Sequence, residues 1–165
     1  MPSAFSKHAA VASVLAALVL ATSPAYAEDT TSNTKIDQIS DPLADRVLDM
    51  FRFEPNFVAL KTGERVTFNN SRGQHTVVSV KGLIPDGVEK ISVANTATET
   101  MTMDVPGLYV LTCKVHGRYG MVMLLAVGDP DSWKNPPESW TRKLSGRYDE
   151  KLQELLAKLD AKFPR

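Results

Sequence analysis

Cys113-Lys-Val-His116-Gly-Arg-Tyr-Gly-Met121 places a thiol, an imidazole and a thioether within nine residues of chain. Cys113 is the only cysteine, and of the three histidines only His75 and His116 lie beyond the first 27 residues. A lone thiol can be a small buried hydrophobe, a nucleophile, or a metal ligand protected by coordination. Each ligand type has a bland alternative when taken singly. Taken together, their convergence on one stretch of chain points to a metal.

Two imidazoles and a thiolate in a trigonal plane, with a weak axial thioether, suit blue copper. The thiolate favours Cu(I), imidazoles serve both oxidation states, and an intermediate geometry limits rearrangement when an electron moves. The expected ligands of one copper ion are therefore His75, Cys113, His116 and Met121. Met123 competes with Met121, but two residues further along a strand it should sit further from the loop. Zinc accepts imidazole and thiolate yet seldom methionine. A catalytic Cys–His pair would need an orienting carboxylate or amide beside His116, and none stands there, so no catalytic residue is assigned.

A loop at the end of a rigid sandwich can bring such side chains to one point. Short apolar stretches punctuated by turn residues between Phe51 and Val127 predict an all-β sandwich rather than βαβ units. The predicted strands are Phe57 to Leu60, Arg65 to Asn69, His75 to Val80, Thr100 to Asp104, Leu108 to Thr112 and Met121 to Val127. The last two are apolar on both faces, as in strands buried between layers. Beyond Asp129, Asn135-Pro136 is expected to start a short helix bearing Trp140 and Leu144. Leu152, Leu155, Leu156, Leu159 and Phe163 recur at helical spacing, predicting a second helix that covers the sandwich.

Lys7, an apolar run from Ala9 to Ala21 and the triplet Ala25-Tyr26-Ala27 have the order of a secretory signal peptide cleaved after Ala27. The apolar run is too short to span a bilayer, and the expected location is the periplasm. The expected organisation is 1–27 signal peptide, 28–43 mobile polar leader without core residues, 44–129 sandwich, and 130–165 helices. With 19 basic and 19 acidic residues there is no excess charge for a nucleic-acid backbone. Neither nucleic acid nor membrane is an expected partner.

His75 and Cys113-x2-His116-x4-Met121 resemble the ligand pattern of the blue copper proteins of the cupredoxin family. Phe53-Glu54-Pro55, Val66-Thr67-Phe68, Lys81-Gly82-Leu83-Ile84-Pro85-Asp86-Gly87, Pro106-Gly107-Leu108-Tyr109 and Ala126-Val127-Gly128-Asp129 resemble its pseudoazurins in particular. The resemblance runs from about Val47 to the C-terminus. It implies an eight-stranded Greek-key β-sandwich with two C-terminal helices and one copper ion, acting as a monomeric one-electron carrier and not as an enzyme.

The resemblance further implies that the ring edge of His116 is the exposed exit for the electron, with Lys81, Lys90, Lys114 and Arg118 as candidates for a basic ring that docks acidic partners. Those partners would be a copper nitrite reductase, a nitrous oxide reductase, a haem peroxidase or a c-type cytochrome. The alternative reading is a periplasmic copper-binding or trafficking protein, distinguished by copper transfer to an apo-acceptor. Two positions depart from the pseudoazurin pattern. Lys114-Val115 replaces Thr-Pro, so the Val115 amide could donate to the Cys113 sulfur; Thr76 replaces Asn, which is expected to loosen the link between the ligand loops.

Overall fold

A computed structural model describes residues 32–133 and 145–164. The strands are β1 (Asn33–Ser40), β2 (Phe51–Glu54), β3 (Phe57–Leu60), β4 (Arg65–Ser71), β5 (Val77–Ser79), β6 (Ser92–Val93), β7 (Thr96–Thr102), β8 (Gly107–Thr112) and β9 (Val122–Val127). Helices α1 (Val47–Met50), α2 (Pro130–Trp133) and α3 (Arg147–Lys162) join them, with a 3-10 turn at Gly117–Tyr119. One sheet has the order β2-β1-β4-β7 and the other β3-β9-β8-β5-β6. The chain is an all-β sandwich with C-terminal helices, as its strand pattern and resemblance imply. Nine strands are described rather than eight, β6 being only two residues long.

The apolar runs of β8 and β9 arise because both faces are covered. Tyr109, Leu111, Met123, Leu125 and Val127 enter the core between the sheets. Leu108, Val110, Val122, Leu124 and Ala126 point the other way, against Leu152, Leu155 and Leu159 of α3. Those leucines are spaced three and four residues apart, which aligns them on one helical stripe. Leu155 is fully buried, so Leu155→Ala should lower the unfolding free energy by about 2–5 kcal/mol, read by denaturant titration. The predicted helix bearing Pro136, Trp140 and Leu144 lies outside the described residues, as does the predicted signal peptide.

The polar leader expected over 28–43 is corrected by β1. This strand lies between β2, antiparallel to it, and β4, parallel to it. Its side chains alternate, and Ile36 and Gln38 turn inward and are buried. Only Ile36 on that face is strongly apolar, which is why composition alone hides the strand.

Helix α3 is also tied to the segment leading into β2. Lys151 is 3% exposed, and its Nζ lies 2.9 Å from both Asp49 Oδ1 and Glu154 Oε2. A buried ammonium is tolerable when carboxylates pair with it. Burial raises the Glu154 pKa, but hydrogen bonds from Arg46 and Lys151 outweigh it and leave that pKa lowered.

Candidate metal centre

Three side chains from two separated stretches meet at one end of the sandwich. His75 lies in the turn before β5, Cys113 directly follows β8, and His116 opens the 3-10 turn. One ligand atom from each lies within 4.8 Å of the others, and all three residues are buried. Cys113 Sγ is 3.6 Å from His116 Nδ1. The two imidazole centroids are 5.1 Å apart, with planes inclined at 59°.

Backbone hydrogen bonds fold the loop back on itself. Gly117 N–H donates to Cys113 O at 2.8 Å, Met121 N–H to His116 O at 3.2 Å, and Cys113 N–H to Met121 O at 3.2 Å. Met121 is thereby fixed at the foot of the loop and is fully buried. Met123 is equally buried but one step further down β9, within the inter-sheet core. Gly120 has a positive φ of 98°, and a Cβ there would come within 2.6 Å of Leu48 Cδ2. The loop thus needs glycine at 120 both for its backbone angle and for its contact with α1.

The donor set fits copper: one thiol and two imidazoles brought together, with a methionine whose backbone is bonded to those of Cys113 and His116. A second observation agrees. His75 Nδ1 is buried without any hydrogen-bond partner, an expense for an ordinary core histidine but not for a nitrogen that faces an ion. Burial lowers the pKa of His75. It also lowers that of His116, helped by His75 and then Arg118. Both shifts favour the neutral imidazole that binds metal.

The surroundings differ from expectation at three points. Among the described residues no hydrogen bond joins the Val115 amide to the Cys113 sulfur; the sulfur's polar neighbours are Gln74 O at 3.4 Å, Thr76 Oγ1 at 3.7 Å and His116 Nδ1. Thr76 also links the ligand loops instead of loosening them, since its hydroxyl accepts the Lys114 amide at 2.9 Å and can turn its own hydrogen to the sulfur. Finally, His116 is only 3% exposed. The Phe51 ring lies parallel to it, 1° from coplanar with centroids 3.9 Å apart, and Tyr119 leans on Phe51. The implied bare ring edge is therefore a covered one.

A groove of about 460 Å³ opens beside this stack. Phe51, Met50, Val115, Tyr119, Arg118 and Arg147 are among its lining residues, and none of the lining residues is acidic. Of the candidate basic ring only Arg118 lines it. Lys90 lines a different cavity, beside β7. Sequence reasoning missed Arg147, Phe51 and also Ser40, whose Oγ is 3.0 Å from His75 Nε2; the alternation Phe51-Arg52-Phe53-Glu54 was the available signal for a strand there.

Residues 44–128 match the family of copper binding proteins of the plastocyanin/azurin type. The chain is 32% identical over 108 residues to a pseudoazurin of Paracoccus pantotrophus, covering 66% of this chain and 73% of that one. It is 30% identical over 117 residues to a pseudoazurin of Methylorubrum extorquens, covering 70% and 79% respectively. The crystal structure of a pseudoazurin from Hyphomicrobium denitrificans superposes with a TM-score of 0.62 at 25% identity, covering 77% of this chain and 98% of that one.

Proposed function

The chain belongs to the plastocyanin/azurin family of copper-binding proteins, as a cupredoxin of the pseudoazurin type, and from that premise we propose that it carries single electrons between periplasmic redox proteins through one copper ion held by His75, Cys113, His116 and Met121. The observation that carries this reading is the buried convergence of His75, Cys113 and His116 with His75 Nδ1 left unpartnered. Bound copper supplies the one-electron Cu(I)/Cu(II) couple. The protein holds the imidazoles neutral, excludes water from the ligands by burial, and fixes the loop between β8 and β9 so that little moves between oxidation states.

The groove over the Phe51–His116 stack is the docking face in this proposal. Its apolar floor and its two arginines suit a partner with carboxylates around a redox centre, where charge steers encounter more than it holds the complex. A copper nitrite reductase, a nitrous oxide reductase, a haem peroxidase and a c-type cytochrome are the partner classes to assay. The order of residues 1–27 supports export to the periplasm. Adding Cu(II) to purified apoprotein should produce an intense visible thiolate-to-copper band; folded protein that stays colourless would remove the proposal.

Thr76 offers a finer test. Its hydroxyl is the only side-chain donor placed toward the Cys113 sulfur among the described residues, apart from the imidazole that shares the site. Donation to a thiolate withdraws electron density and favours the reduced ion. Thr76→Val should therefore lower the reduction potential by tens of millivolts, about 59 mV per tenfold change in the one-electron equilibrium. Voltammetry showing a rise, or no change, would contradict this role.

A further inference from the structure

We infer that one rung of the first sheet, the cross-strand pair Ser40–Phe51, is a frame that positions both imidazoles of the site from outside. The inference rests on the copper reading above and adds to it two positioning residues that touch no metal. Ser40 ends β1 and Phe51 begins β2, and the two are direct partners in the antiparallel register. Directly opposed residues on such a pair project to the same face. On β1 that face carries buried Ile36 and Gln38, and on β2 it carries buried Phe53; the rung continues it to the rim where the ligands meet, with Ser40 exposed and Phe51 half-buried.

Each member holds a different ring. With His75 Nδ1 buried and free, the neutral imidazole carries its hydrogen on Nε2 and donates it to Ser40 Oγ at 3.0 Å. That bond fixes both the tautomer and the rotation of the ring, which is how outer contacts commonly hold a metal-binding histidine. Phe51 does by contact what Ser40 does by hydrogen bonding. Its ring lies flat on His116, so the imidazole cannot swing about its Cβ without losing the whole stacked face.

The rung is itself braced. Asp41 N–H donates to Met50 O at 2.7 Å immediately beyond the pair. Across the same hairpin Arg52 donates to Asp49 O at 3.0 Å and reaches Asp41 and Glu54 at 3.3 and 3.2 Å. With β1 held by β4 on its other edge, a slip of β2 by one residue would send Phe51 to the opposite face, away from His116, and part it from Ser40.

The test uses the full domain as wild type, Ser40→Ala, Ser40→Thr and Phe51→Leu, with Phe51→Met in reserve if the leucine form does not fold. Each apoprotein is titrated with Cu(I) against a chromophoric chelator, and each Cu(II) form is examined by electron paramagnetic resonance. We expect Ser40→Ala and Phe51→Leu each to weaken copper binding about tenfold and to alter the copper hyperfine pattern, with Ser40→Thr restoring both readouts. Apoprotein unfolding midpoints serve as the control, since a merely structural role would move them instead. The frame is overturned if either Ser40→Ala or the Phe51 variant matches wild type in affinity and spectrum, or if Ser40→Thr is as weak as Ser40→Ala. A wild-type chain that takes up no copper would instead overturn the copper reading on which the frame stands.

Discussion

Cys113→Ser is expected to erase the visible band completely while leaving the metal-free fold in place. The band requires a sulfur-to-copper transition, and no other thiol exists in the chain to replace the lost one. The substitution is nearly isosteric, and the new hydroxyl would find Gln74 O and Thr76 Oγ1 where the sulfur now has them. The stability cost to the apoprotein should therefore stay within about 1 kcal/mol. Two measurements on one sample decide the matter, an absorption spectrum after Cu(II) addition and a denaturant titration without metal. A serine variant that remains blue would show the ligand assignment to be wrong.

Removal of residues 33–40 should have the largest effect on the fold, leaving no stably folded and no copper-binding protein. β1 is interior to its sheet, so its loss strips hydrogen-bond partners from β2 and β4 at once. It also deletes the fully buried Ile36, whose burial alone contributes about 1.5–3 kcal/mol. The bonds from Gln38 to Ser71 Oγ and Asn69 O would go as well. Against a total stability of about 5–15 kcal/mol for an ordinary domain, losses of this kind are not survivable. Circular dichroism and limited proteolysis of a chain beginning at Asp41 would check it. If that chain unfolded cooperatively at the wild-type midpoint, β1 would be an accessory and not a member of the core.

That second prediction runs opposite to what composition suggests, and the contrast shows which information a sequence exposes. His75, Cys113, His116 and Met121 stand out because their chemistry is rare in this chain and three of them share one loop. β8, β9 and α3 are equally plain, since their apolar residues repeat at the period of the element that buries them. β1 carries a single strong apolar residue on its inner face, and its other inward side chain, Gln38, places its amide nitrogen on partners more than thirty positions away. Such long-range pairings leave no local trace. The same holds for Ser40 and Phe51, whose roles depend on register between strands, and for Val115, whose amide direction follows from how the loop closes.

The double covering of β8 and β9 also separates two kinds of motion. Amides within these strands can reach solvent only when the whole domain opens, whereas those between Lys114 and Tyr119 need only a local excursion of the loop. The segment linking the two strands is thus an interchangeable span between fixed abutments. Its length and residues could be rewritten to tune the metal without renegotiating the architecture that carries it.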